Sequence, residues 1–190
     1  NGVDRAIKYF LAINAALKER KSPYQSIVAF AGERKFGGNE VSEAMLNGFP
    51  SGKIPCVIDA RGPDAVPEHD SHGEFIYAVM QYFRYTGDTT WLRGKYDTVV
   101  KAVRYIQSLR AQRKTDVYKN GTPEQRALYG LVPESISHEG YWDIPRHSYW
   151  DDFFTLRGLK DAADMAVVLG ERNDAAEFAV ERDDLRACLY

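Results

Sequence analysis

Carboxylates, imidazoles and flat aromatic rings crowd two stretches of this sequence. The first, Val66-Pro67-Glu68-His69-Asp70-Ser71-His72-Gly73-Glu74, holds three acids and two imidazoles within seven residues. The second runs Tyr129-Gly130-Leu131-Val132-Pro133-Glu134-Ser135-Ile136-Ser137-His138-Glu139-Gly140-Tyr141-Trp142-Asp143 and, after Ile144, continues Pro145-Arg146-His147-Ser148-Tyr149-Trp150-Asp151-Asp152-Phe153-Phe154. Sugars present polar edges and apolar faces, so a pocket for them sets aromatic platforms beside carboxylates, imidazoles and Arg. A plainer explanation stands beside that one. Ser71 and Glu74, and again Ser148 and Asp151, have the spacing of a capping box, and acids at a helix start favour the positive end of its dipole. Phe153 and Phe154 are expected in the core, where large apolar side chains usually lie.

These stretches precede helices. Leu92, Tyr96, Val99, Val103 and Ile106 step by fours and threes, which lays one apolar stripe on a helix whose other side is charged. Glu74 to Phe83 is apolar almost all round and predicts an inner helix covered on most faces. Between the two, Tyr85-Thr86-Gly87-Asp88 offers a Gly to end one helix and an acid to start the next, so the pair is a tight antiparallel hairpin. The pattern recurs with a helix from about Trp150 to Leu169, a stop at Gly170-Glu171, and a second helix through Phe178 and Leu185. Asp4 to Arg20, with Ser22 to Glu33 as partner, makes a third hairpin. The chain therefore reads as all-α and as one domain over 1–190. Two long irregular stretches, about Asn47 to His69 and Lys114 to His147, lead into the inner helices, so function is expected at that end.

Leu131-Val132-Pro133-Glu134-Ser135, Trp150-Asp151-Asp152-Phe153-Phe154-Thr155 and Pro67-Glu68-His69-Asp70-Ser71-His72-Gly73 together resemble the six-hairpin glycosidases. That group includes glucoamylases, trehalases and mannosyl-oligosaccharide glucosidases. The resemblance spans about Tyr24 to Leu185 and implies an (α/α)6 toroid, of which this chain would hold about half as a segment of something longer. It implies a glycoside hydrolase acting on an oligo- or polysaccharide, and it favours a secreted or periplasmic protein. Glucoamylase-like enzymes carry a Trp-Glu-Glu at the corresponding helix start, where the first acid protonates the leaving oxygen. Asp151 takes that place, with Asp where those enzymes have Glu, which leaves the choice between Asp151 and Asp152 open. The catalytic base of the group lies later in the chain, outside these residues. The substrate-binding set implied is Glu68, His69, Asp70, His72, Glu134, Trp142, Arg146, His147, Tyr149 and Trp150.

A general acid at a helix N-terminus meets a physical difficulty. The dipole stabilises ionised carboxylate, whereas an acid working near neutral pH needs a raised pKa. Desolvation by Trp142, Tyr149 and Trp150, or a second carboxylate such as Asp152 or Glu139, would supply the upward push. Without it Asp151 is a cap and Glu139 the better acid. Whether Glu68, Asp70, Glu139, Asp151 and Asp152 converge decides the matter, and scatter of those groups over separate surfaces would sink the catalytic reading.

Composition narrows the alternatives. Twenty-five basic and 27 acidic residues lie along the chain without runs, which gives no footprint for nucleic acid and no polybasic membrane anchor. No apolar run is long enough to span a bilayer. The two cysteines, Cys56 and Cys188, lie far apart and leave the compartment undecided. Their spacing indicates neither a disulfide framework nor a zinc site, and no cofactor is implied. The helical pattern of Asp174 to Tyr190 runs on without a terminator, as expected of a fragment. An incomplete ring would expose inner-helix surface and could self-associate. A non-catalytic helical-repeat or carbohydrate-binding module remains the second reading. A third, an epimerase or lyase on a similar toroid, would draw on His69, His72, His138 and His147.

Overall fold

The computed structural model describes residues 51–59, 62–63, 66–140 and 144–190. The hairpin expected over Asp4 to Glu33 lies outside them. Two helical hairpins dominate. The first joins α1 (Asp70–Thr86) to α2 (Thr89–Ala111); the second joins α5 (Tyr149–Leu169) to α6 (Arg172–Leu189). Two short helices, α3 (Asp116–Lys119) and α4 (Pro123–Ala127), lie in the connection between hairpins. The described residues also hold one pair of two-residue antiparallel strands, β1 (Ile58–Asp59) and β2 (Gly62–Pro63).

The local chemistry of the turns is the expected one. Gly87 and Gly170 close α1 and α5 in the left-handed conformation, at φ 66° and 76°, where a side chain would be strained. The Asp88 carboxylate accepts the Trp91 N–H at 2.8 Å and so caps α2. The connection after α2 is less irregular than the sequence suggests. Thr122-Pro123-Glu124-Gln125 forms a reciprocal capping box with Pro in the first turn, which starts α4.

The anticipated stripe on α2 is buried throughout, and it meets Phe75, Ile76 and Val79 of α1, Leu159, Met165 and Ala166 of α5, and Phe178 and Leu185 of α6. The largest contact is between α1 and α5. It is close because both helices carry glycine at the crossing. A Cβ on Gly73 would lie 2.0 Å from the Phe154 carbonyl oxygen, and one on Gly158 would lie 2.6 Å from the Gly73 Cα. Farther along, Asp161 of α5, fully buried, accepts from Arg84 of α1 at 2.7 Å and from Arg157 at 2.9 Å.

One expectation fails at the outer faces. On α1, Phe75, Ile76, Val79 and Met80 are buried, and Tyr77 is exposed and lies against Arg157. Phe153, expected in the core, is half exposed together with Val167 and Val168. These residues face away from the α1–α5 crossing, which buries the glycine side of α5 instead.

Candidate functional site

The close crossing of α1 and α5 sets their first turns side by side. Asp70, at the start of α1, accepts the indole N–H of Trp150 from α5 at 2.7 Å. Neither Ser71 nor Asp151 forms the capping box its spacing suggested. Ser71 lies inside α1, whose N-cap residue, His69, makes no side-chain capping bond. Ser148 does cap α5, accepting the Trp150 N–H at 3.3 Å, but Asp151 turns away toward the second loop.

That loop closes over both helix starts. Ser135 pairs with Arg146 through two backbone bonds of 3.0 and 2.9 Å, and the Ile136 N–H donates to the Pro67 carbonyl at 3.1 Å, which ties the second loop to the first. The hydroxyls of Ser135 and Ser137 then meet Asp151. Ser135 Oγ donates to Oδ2 at 2.6 Å, and Ser137 Oγ stands 2.9 Å from Oδ1. Asp152 accepts the Val132 N–H at 3.0 Å on Oδ1, while His147 Nε2 approaches Oδ2 to 3.1 Å. Glu139 lies at the surface with Oε2 2.6 Å from Ser137 Oγ.

Electrostatics follow from this packing. Asp151 has no solvent exposure, and burial is the main force pushing its pKa up to about 7; nearby Asp70 and Asp152 add to the rise, and the two serines oppose it. The upward push that the helix dipole makes necessary is therefore present. Asp70 is also raised by burial, against the Trp150 bond that favours its ionised form. Glu139 is held below the ordinary range, first by its Ser137 bond.

The candidates do not all gather here. Asp70, Asp151, Asp152 and His147 form the knot, Glu139 joins it through Ser137, and half-buried Glu68 lies near Glu74, whose carboxyl is raised first by burial and then by Asp70 and Glu68. Trp150 presents a partly exposed ring stacked on His138 at 4.7 Å, and Tyr149, more exposed, stacks on Phe153 at 6.1 Å. Glu134 points away, into an ion pair with Arg113. Arg146 is exposed and its backbone pairs with that of Ser135. His69 and His72 are buried, His72 stacking on Tyr105 at 4.8 Å. Trp142 lies outside the described residues.

The acids form a buried knot rather than the walls of one open concavity. A groove lined by Phe153, Leu156, Arg157, Lys160, Arg182 and Tyr190 runs instead along the outer faces of α5 and α6. Ser135 and Ser137 complete the knot although they were not among the residues expected to form a site, and the sequence marks them only by the alternation Ser135-Ile136-Ser137. Among the described residues, no group of three His, Cys, Asp or Glu could hold a metal ion, and no helix is long and apolar enough to cross a membrane. Compared with protein-family models, curated proteins and solved structures, the chain matches none.

Proposed function

We propose that this chain belongs to an acid-catalysed glycoside hydrolase of the (α/α) toroid kind, in which Asp151 supplies the proton for the leaving oxygen. The observation that carries the reading is a carboxyl at the start of α5 whose pKa burial lifts to about 7, beside Asp70 and Asp152. A carboxyl tuned in that way holds a proton near neutral pH and gives it up readily, as a general acid must. The exposed rings of Trp150 and Tyr149 supply the apolar platform, and His138 and Arg146 supply polar contacts to hydroxyls. Asp70 and Asp152 accept from Trp150 and Val132, so they orient and tune the acid rather than activate water. The base for an inverting reaction then falls to a different carboxylate, about 6.5–9.5 Å from the acid.

The test is hydrolysis by the intact protein of two substrate series, oligosaccharides and aryl glycosides with acidic phenol leaving groups. Asp151→Asn should lose turnover of the oligosaccharides at neutral pH by roughly 10²-fold or more, while the acidic phenols, which leave without protonation, are largely spared. Equal turnover of oligosaccharides by the variant would remove the assignment.

The complete burial of Asp151 favours a second reading. There the knot is a clasp that orders the loop, and Trp150 and Tyr149 bind carbohydrate without turnover. Calorimetric binding of oligosaccharides by the wild-type protein, with no products formed and affinity unchanged in Asp151→Asn, would select it.

A further inference from the structure

We propose that Ser137 is a proton relay joining buried Asp151 to surface Glu139, so that Glu139 is the group that presents the proton to the leaving oxygen. The use made of the proton rests on the glycosidase reading; the relay itself rests on geometry.

A serine hydroxyl has one hydrogen. Ser137 Oγ nevertheless stands 2.6 Å from Glu139 Oε2 and 2.9 Å from Asp151 Oδ1. With both carboxylates ionised, one of these approaches would set lone pair against lone pair. Both become hydrogen bonds when the two acids share a single extra proton. In one state Asp151 Oδ1–H donates to Ser137 Oγ, whose own hydrogen donates to Glu139. In the other, Glu139 Oε2–H donates to Ser137, which donates to Asp151.

Ser135 fixes which oxygen takes part. Its hydroxyl donates to Asp151 Oδ2 at 2.6 Å and accepts the Ser137 N–H at 2.8 Å, so Oδ2 is occupied as an acceptor and the shared proton belongs to Oδ1. Ser137 is held for this contact. Its φ of 52° lies in the left-handed region that residues with side chains rarely adopt, and the Gly140 N–H bonds to its carbonyl at 3.1 Å. The path runs from inside to outside, since Asp151 and Ser137 are buried and Glu139 is exposed.

The charged groups around the pair favour an internal store. Asp70 from α1 and Asp152 from α5 face Asp151 and disfavour its ionised form, whereas His138 of the loop lies near Glu139 and favours the anion there. In the working step the Asp151 Oδ1–H bond breaks as a new Ser137 O–H forms, and the original Ser137 O–H breaks as Glu139 O–H forms. Glu139 then passes its proton to the glycosidic oxygen as the C–O bond breaks. Asp151 is left ionised until solvent reprotonates the pair through Glu139.

The test is a carboxyl ¹³C NMR titration of the intact protein, compared with Ser137→Gly, which suits the positive φ and removes the hydroxyl with its Cβ. Coupled sites titrate as a pair. In the wild-type protein the Asp151 and Glu139 signals should both move through a common step near pH 7. In Ser137→Gly, Glu139 should titrate in a single step and lose the step near 7. A single low step for Glu139 in the wild-type protein overturns the relay; so does a shared step that survives in Ser137→Gly, because charge acting through space needs no hydroxyl. On a hydrolysed oligosaccharide, Ser137→Gly should lower kcat at pH 7 by roughly 10²-fold with KM unchanged. Absence of turnover by the wild-type protein sinks the glycosidase reading and leaves the titration to decide the relay.

Discussion

Asp151 shows how burial sets the chemistry of one side chain. Its carboxyl starts from 3.8 and is carried to about 7 in the fold, chiefly by desolvation. The folded chain therefore binds more protons than the unfolded chain between those values, and folding stability falls as pH rises through that window. The loss at pH 8 relative to pH 4 is about 4 kcal/mol, from about three units at 1.36 kcal/mol each. Asp70 and Glu74, also raised by burial, slope the same way. Thermal melts between pH 5 and 8 should show the wild-type protein losing stability with rising pH and Asp151→Asn losing much less; parallel curves would mean that Asp151 is solvated in the folded chain. The type and place of this acid could be read in the sequence. Its serine partners could not, because Ser135 and Ser137 meet it only once Ile136 has paired with Pro67 and Ser135 with Arg146. The same distance between pattern and fold separates Glu134 from the site, since its sequence neighbours are site residues but its ion-pair partner is Arg113 of the connection after α2.

Among the helices, periodicity told most. The stripe from Leu92 to Ile106 is buried as expected, and both turn glycines end helices where they should. Exposure on the far faces of α1 and α5 was not legible, because an apolar residue predicts a wish for cover and not the partner that gives it. Glycine inside a helix has a similar ambiguity, and here the structure separates two cases. Gly158 sits at the α1–α5 crossing with no room for a methyl group, whereas Gly94 of α2 is exposed with nothing within 4 Å of the Cβ position. Gly158→Ala must push the helices apart at the turn that aligns Asp70 with Trp150, and it should cost roughly 1–3 kcal/mol. Gly94→Ala should gain roughly 0.5–1 kcal/mol by restricting the unfolded chain. Urea denaturation of both variants checks this, and equal effects would deny the close crossing.

Over the whole molecule, the two hairpins are joined by more than apolar contact. Arg110, at the end of α2 and fully buried, donates to the Gly130 carbonyl at 2.6 Å and pairs with Glu181 and Asp184 of α6. One guanidinium thus holds the first hairpin, the second hairpin and the root of the loop that carries Ser135 and Ser137. Asp184 has a second cation in Lys114 at 2.5 Å, but Glu181, largely buried, has no other cation within salt-bridge reach among the described residues. Arg110→Met should consequently cost roughly 3 kcal/mol, most of it from leaving the Glu181 charge without a partner. Adding Glu181→Gln removes that charge, and the double variant should recover most of the loss, as expected when an ion pair is exchanged for neutral groups of similar volume. A double variant as unstable as the single one would place the cost at the Gly130 carbonyl instead. In that case the ordering of the site loop, rather than the pairing of charges, is what Arg110 contributes to the fold.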